Sequence, residues 1–329
     1  MWRFIIGVSR QILCLAILSV SAVYANIVFV HLGSQIPEYV YVALEQARLF
    51  NPQMDIYFIA NEEAVKKTAY DFSRDTFKVV LCETLERSNY HQLFNQKSPL
   101  DQKYRDGFWR KATERFFYIH ELMVSRNLQQ VVHIESDNML YVDIATMSEA
   151  LSNYKGIGAV FDSDNRCIPS FVYFADKKAI ENLVAFMAEH ASKGENDMET
   201  LASYRSSFPH DYIDNLPLIM PEYVRKYGLI NDLKQTSINA AAYTNNFSLF
   251  KSIFDGAAFG QYLGGIDPRN GPSKPGFINE TCLFKPSRFK FEWRKDEQGR
   301  KIPLALLGSS AYKINNLHIH SKRLEDFRS

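Results

Sequence analysis

The chain has 329 residues, of which 46% are hydrophobic and 23% charged, and its formal net charge is +1. This balance excludes a disordered tail, a collagen-like rod and a disulfide-stapled miniprotein. Near-neutral charge also speaks against a nucleic-acid-coating surface, so no nucleic-acid partner is expected. The 18 tyrosines and 24 phenylalanines fit either a large core or sites that stack on sugars or bases.

Residues 1–25 stand apart. Arg3 and Arg10 are their only charges, and no acid occurs before Glu38. Residues 12–20 are apolar, and Val23 and Ala25 suit the −3 and −1 positions of a cleavage site. The segment reads as a secretory signal peptide cut after Ala25. One alternative is an uncleaved anchor, because apolar character resumes at residues 27–30, and a span needs about 20 apolar residues. Another is a buried first helix of a cytosolic protein, against which the flanking arginines speak. The first two readings place the protein in the secretory pathway, exported or membrane-anchored; the anchor would associate it with a membrane. Residues 26–329 then form a single domain with an irregular region around 205–300. Cys82, Cys167 and Cys282 allow at most one intramolecular disulfide, and no Cys/His spacing suggests zinc. Asn246 and Asn279 begin N-x-S/T triplets.

Strands and helices alternate over the first half. Residues 27–31 read as a buried strand ending near Gly33. Residues 37–49 read as a helix with Pro37 in its first turn and Val40, Ala43, Leu44 and Ala47 on one face. Strands follow at 55–60, 77–82 and 130–134, with a short helix from Glu62 and a long one over 109–126. Residues 139–142, 156–161 and 169–174 are extended; 180–190 and 198–204 are helical. The order implies an α/β sheet with mostly parallel strands, and such sheets seat ligands at the carboxyl ends of their strands. Residues 254–277 hold many Gly and Pro and read as a long loop. Residues 316–320 alternate and lead into a basic tail.

Three features carry chemistry. The apolar run Val131, Val132, His133, Ile134 leads straight into Glu135, Ser136 and Asp137. Carboxylates at i and i+2 of an extended segment point the same way, and hard oxygen ligands at a strand end suit Mg²⁺ or Mn²⁺. The blander alternative is an acidic turn closing a strand. Late in the chain, His318 and His320 share one strand face ahead of Lys322, which suits metal ligation and phosphate neutralisation. They also fit a surface strand with two hydrogen-bonded histidines. Arg110, Lys111 and Arg115 lie on the long helix in front of the acidic strand. A cation there suits a nucleotide or phosphate, or a solvated face paired with Glu114 or Glu121.

Together, the strand order, the acidic triplet after the fourth strand and the late HxHxK resemble a GT-A glycosyltransferase, of the family 8 and family 32 type. The resemblance covers roughly residues 26–322 and is strongest at 115–141. It implies a Rossmann-like, mixed and mostly parallel sheet flanked by helices. The implied activity is metal-dependent transfer of a sugar from a nucleotide-diphosphate sugar, UDP or GDP, to a glycan, lipid or protein hydroxyl, with retention favoured. It implies Mn²⁺ or Mg²⁺ held by Asp137 and Glu135 with His318 or His320 as third ligand. Lys322 would meet the diphosphate and Arg115 the nucleotide or donor sugar. His31, Gly33 and Ser34, with Asn61 after the second strand, would seat the nucleobase. Asp197 resembles an acid that hydrogen-bonds the donor sugar. Asp162, Asp164, Asp211 and Asp214 are further sugar-contacting candidates, of which Asp214 joins Asp197 as a catalytic candidate. The glycine-rich stretch 254–265 offers either a substrate wall, with Phe259 and Tyr262 stacking on a sugar, or a loop packed on the core. The triplet is Glu-Ser-Asp where the family has Asp-x-Asp. That departure keeps two other readings in play: a non-catalytic sugar-binding protein and a metal-dependent hydrolase.

Overall fold

A computed structural model describes residues 25–210, 212–230, 239–276 and 282–329. The signal-or-anchor segment up to residue 24, Asp211 and the Asn279 triplet therefore lie outside the described residues.

Unbroken runs of β-branched and aromatic residues produce the centre of one sheet. β1 (Asn26–His31) lies between β2 (Ile56–Ala60) and β4 (Val131–Ile134), parallel to both, and β3 (Lys78–Leu81) extends the sheet beyond β2. β2 and β4 are buried along their whole length, which such sheets achieve by placing crossover helices on their faces. The crossovers are α1 (Glu38–Phe50), α2 (Glu62–Lys67), α3 (Asn89–Lys97) and α4 (Phe108–Ser125). α1 begins after Pro37 and buries Val40, Ala43, Leu44 and Ala47, the face read from sequence.

A tight turn joins β4 to β5 (Asn138–Leu140). Next come α5 (Ser148–Leu151), β6 (Ile157–Ser163), β7 (Arg166–Phe174), α6 (Lys177–His190), α7 (Asp197–Ser207) and β8 (Ile213–Asn215). The large sheet has the order β3-β2-β1-β4-β7-β6-β8. β7 runs antiparallel to both β4 and β6, and β8 is parallel to β6. Every strand but β7 thus points the same way, giving the mixed, mostly parallel Rossmann-like sheet that the GT-A resemblance implies.

The region expected to be irregular contains short elements: α8 (Pro221–Tyr227), α9 (Ala241–Thr244), α10 (Phe247–Phe250) and α11 (Ala258–Gly264). An antiparallel sheet of β9 (Lys290–Lys295), β10 (Lys301–Leu307) and β11 (Ser310–Lys313) follows. Finally β12 (Asn316–His318) pairs antiparallel with β5, setting His318 opposite Asn138. That small pairing carries the late histidine segment to the end of β4. Among the described residues no helix is long and apolar enough to cross a membrane. Cys82, Cys167 and Cys282 are all free thiols.

Candidate active site

The carboxyl ends of β1 and β4 open into a cleft of about 490 Å³. The acidic triplet is not extended as its spacing suggested. Residues 135–138 form a turn in which Asn138 N–H donates to the Glu135 carbonyl at 3.1 Å. The turn is held on one side by Glu135 N–H donating to the Ser170 carbonyl at 3.1 Å, and on the other by Ile319 N–H donating to the Asp137 carbonyl at 2.8 Å. Both carboxylates still meet one imidazole. His318 Nε2 lies 3.4 Å from Glu135 Oε2 and 3.2 Å from Asp137 Oδ2. One ligand atom from each of these three residues falls within 4.8 Å of the others.

This donor set fits a divalent cation. His318 Nδ1 donates to the Gly256 carbonyl at 2.6 Å, which leaves Nε2 facing the two carboxylates as the nitrogen available to a cation. Glu135 Oε2 is buried without a hydrogen-bond partner and has His318 Nε2 at the looser ion-pair distance of 3.4 Å, so it retains acceptor capacity for a cation. Burial alone would lower the His318 pKa, but Asp137 and Glu135 outweigh it and hold the imidazolium up to about 9. Burial works against the charged Asp137 too. Lys322 and His318 nevertheless drive its pKa well below the usual carboxylate range. Lys322 ion-pairs with Asp137 Oδ2, and its ammonium stands 5.6 Å from the Tyr39 ring centroid.

His320 does not join that triad. Its Nδ1 receives a hydrogen bond from Gln261 Nε2 at 2.9 Å, and its ring packs edge-on against His318 with centroids 4.3 Å apart. Burial, with His318 and Lys322 adding to it, pushes its pKa well down, so it stays neutral and faces the cleft as a hydrogen-bonding group.

Arg115 projects from α4 between two acids. Nη1 donates to Glu135 Oε1 at 2.6 Å and Nη2 to Asp197 Oδ2 at 2.7 Å. The guanidinium is thus a fork that orients two carboxylates, more than a free cation for phosphate. Asp197 opens α7, where Asn196 and Glu199 form a capping box. Its second oxygen, Oδ1, is buried with no partner. Burial pushes its pKa up to about 6 against the pull of Arg115.

The loop after β1 forms the opposite wall, where His31, Gly33 and Ser34 line the cleft. His31 Nε2 bonds the Gln35 carbonyl at 2.7 Å. Burial lowers the His31 pKa, and Lys111 adds to this. Asn61 lines a separate hollow with Cys82, Glu83 and Tyr118. It serves the loop from behind, its Oδ1 accepting Gly33 N–H at 2.9 Å.

Other candidates lie elsewhere. Asp214 lines a different hollow, on the edge strand β8 in register with Gly158. That is the amino-terminal half of β6, away from the ligand end of the sheet, and Asp214 Oδ2 is occupied by Asn246 Nδ2 at 3.0 Å. The catalytic expectation for Asp214 is therefore corrected. Asp162 pairs with Arg166, and Asp164 with Arg205 and Tyr243. The glycine-rich stretch is not a substrate wall. It forms α11, with Phe259 buried against Phe284 and Phe289 and Tyr262 beside Phe291. A Cβ on Gly260 would stand 2.0 Å from the His318 carbonyl oxygen, so this glycine permits close packing on β12 and not approach to a ligand.

Sequence reasoning missed the residues that hold His318. Buried Asp255 accepts N–H bonds from Phe259 at 2.9 Å, Gly260 at 2.8 Å and His318 at 3.1 Å. Asn316 Nδ2 bonds Asn138 Oδ1 at 3.1 Å and the Asp255 carbonyl at 2.8 Å. The one available signal was an acid just before a run of small residues, a helix-start pattern. Tyr39, Trp109, Asp267 and Arg269 also line the cleft unforeseen.

A scan of family models and a search of curated proteins give no match. The chain is similar to solved structures that include the following. Mouse xyloside xylosyltransferase 1 in its apo form is 10% identical, with TM-score 0.40 over 59% of this chain and 85% of that one. The galactosyltransferase LgtC in complex with donor and acceptor sugar analogs is 12% identical, with TM-score 0.42 over 67% and 82%. A cytidylyltransferase from Leptospira borgpetersenii is 10% identical, with TM-score 0.36 over 59% and 76%. Likeness at this level leaves the functional reading to the residues of the cleft.

Proposed function

We propose that the protein is a metal-dependent glycosyltransferase that moves a sugar from a UDP- or GDP-sugar to an acceptor hydroxyl with retention. The observation that carries this reading is the convergence of Glu135, Asp137 and His318, with Lys322 beside them, in one cleft at the strand ends. Glu135, Asp137 and His318 would hold Mn²⁺ or Mg²⁺, which when bound supplies Lewis-acid stabilisation of the leaving diphosphate. Lys322 contributes a second, fixed positive charge at the same place. The Arg115 fork holds Glu135 toward the ligand set and Asp197 toward the sugar. The unpartnered Asp197 Oδ1 accepts a hydroxyl of the donor sugar and fixes the ring while its anomeric carbon becomes oxocarbenium-like. The bond from that carbon to the diphosphate oxygen breaks, the bond to the acceptor oxygen forms, and the acceptor proton passes to the departing diphosphate. The loop at His31, Gly33 and Ser34 seats the nucleoside.

Incubation with a panel of nucleotide sugars tests this. Slow donor hydrolysis is expected only when Mn²⁺ or Mg²⁺ is present. Asp137→Ala should cut it by about three orders of magnitude, as loss of a principal electrostatic group does, while circular dichroism stays unchanged. No turnover and no metal-dependent nucleotide binding across the panel would remove the reading.

A further inference from the structure

One wall of the cleft has no task in the mechanism above. Tyr104, Phe108 and Trp109 line it at the start of α4. Tyr104 is 46% and Phe108 40% exposed, so both rings present apolar faces at the cleft rim. Phe108 and Trp109 meet edge to face with centroids 4.8 Å apart. Asp267, Arg269 and Asn270, from the segment after α11, line the same cleft. The two segments touch: Arg105 Nη2 donates to Asn270 Oδ1 at 2.5 Å, across 165 residues of sequence. Arg269 is held flat by Asp267, with Nε 3.0 Å from each carboxylate oxygen.

The backbone of the aromatic segment is also specialised. Arg105, Asp106 and Gly107 are consecutive residues in the left-handed region, with φ of 47°, 57° and 75°. For the two non-glycines this is an unfavourable backbone conformation. The Lys111–Asp106 ion pair and the Arg105–Asn270 bond hold the turn in that shape. The strained turn leaves Tyr104 and Phe108 outside the core.

Exposed aromatic faces combined with carboxylate, amide and guanidinium groups match a pyranose. Its C–H face is apolar and packs on rings, while its hydroxyls both donate and accept and therefore suit Asp, Asn and Arg together. An acyl chain would offer these groups no partner to replace the water they lose on desolvation.

We propose that this wall is the acceptor subsite and that the acceptor is a carbohydrate. Its terminal ring stacks on Tyr104 and the Phe108–Trp109 pair, and its hydroxyls bond to Asp267 and Asn270. The term acceptor rests on the sugar-transfer reading; the binding claim is measured independently of it.

Saturation-transfer NMR on the full chain, with a panel of methyl glycosides and disaccharides, provides the test. At least one saccharide should bind, and Tyr104→Ala and Asp267→Asn should each weaken that binding tenfold or more, while Phe108→Trp retains it. Unchanged melting temperatures show that these rim variants remain folded. The inference is overturned if no saccharide in the panel binds, or if both weakening variants bind as well as the parent. Ring-dependent binding seen only with an alkyl detergent or a Ser/Thr peptide overturns it as well. Mn²⁺ titration of the same samples separates the two claims. Sugar failure with intact Mn²⁺ binding removes the carbohydrate subsite alone, whereas failure of both removes the transferase reading with it.

Discussion

The two halves of this molecule reach the same cleft by opposite means. The first half, β1 to β4 with its crossover helices, places cleft residues through regular structure: a parallel sheet ends, and His31, Gly33 and Glu135 stand where its strands stop. The second half places them through a buried polar network. Asp255, Asn316, Asn138 and Ser170 join α11, β12, β5 and β7 by hydrogen bonds, among them Ser170 Oγ donating to the Asp255 carbonyl at 2.8 Å and Asn138 Nδ2 to the Ser170 carbonyl at 2.6 Å. A sheet spreads its stability over many contacts, whereas a satisfied polar network fails when one member is lost. The His318 side of the site should therefore be far more sensitive to single substitutions than the β1 side.

The largest expected effect is Gly260→Ala. The added methyl meets the His318 carbonyl, so α11 or β12 must move. A loss of about 3 kcal/mol follows for overpacking against backbone, read as a fall of about 5–10 °C in melting temperature. Mn²⁺ affinity should fall with it. A variant that melts and binds like the parent would mean that the two elements are less tightly joined than described. Asp255→Ala comes next, leaving the N–H groups of Phe259, Gly260 and His318 without their acceptor. About 2–3 kcal/mol should be lost in urea unfolding; a change below 0.5 kcal/mol, roughly the scatter of neutral surface changes, would show that the network is not what holds the segment.

Proton competition gives a smaller effect. His318 has its pKa raised from 6.5 to about 9 by Asp137 and Glu135 against the effect of burial. Its pairing therefore contributes stability fully below 6.5 and loses it as pH rises through about 9. An incoming Mn²⁺ must displace that proton, so apparent affinity should strengthen about tenfold per pH unit between 7 and 9, measurable by electron paramagnetic resonance. A flat profile would take His318 out of the ligand set. The smallest effect is expected in the first half. Asn61→Ala removes one bond to Gly33 N–H, costing about 1 kcal/mol and raising nucleotide KM a few-fold with kcat unchanged. A drop in kcat instead would place Asn61 closer to the chemistry than its hollow suggests.

The same contrast explains what was legible in the sequence. Runs such as Val131 to Ile134 and the 3.6-residue face of α1 are repeated local signals, and they mark the sheet and the end of β4 where the acidic turn sits. The mostly parallel sheet was readable for that reason. The choice of His318 over His320 was not, because it depends on pairing with Asn138 and on the Gly256 carbonyl, both remote in sequence. Asp214 looked equal to Asp197 as an isolated acid. Only strand register separates them, since β8 is an edge strand that meets β6 near its amino-terminal end. Phe259 and Tyr262 were ambiguous because an aromatic beside glycines looks the same whether it faces ligand or core. The short elements α8 to α11 carry too few turns for a period to show.

The pairing of β5 with β12 has a consequence for assembly in time. Asn138 and Asn316 bond across 178 residues, and Asp137 and Lys322 across 185. Loop closure of that length is entropically slow, so β1 to β4 can order while the chain is still being synthesised. The acidic turn then waits for its imidazole. A nascent chain stalled before residue 316 would present Glu135 and Asp137 together with no cation from the β12 segment, two like charges at one strand end.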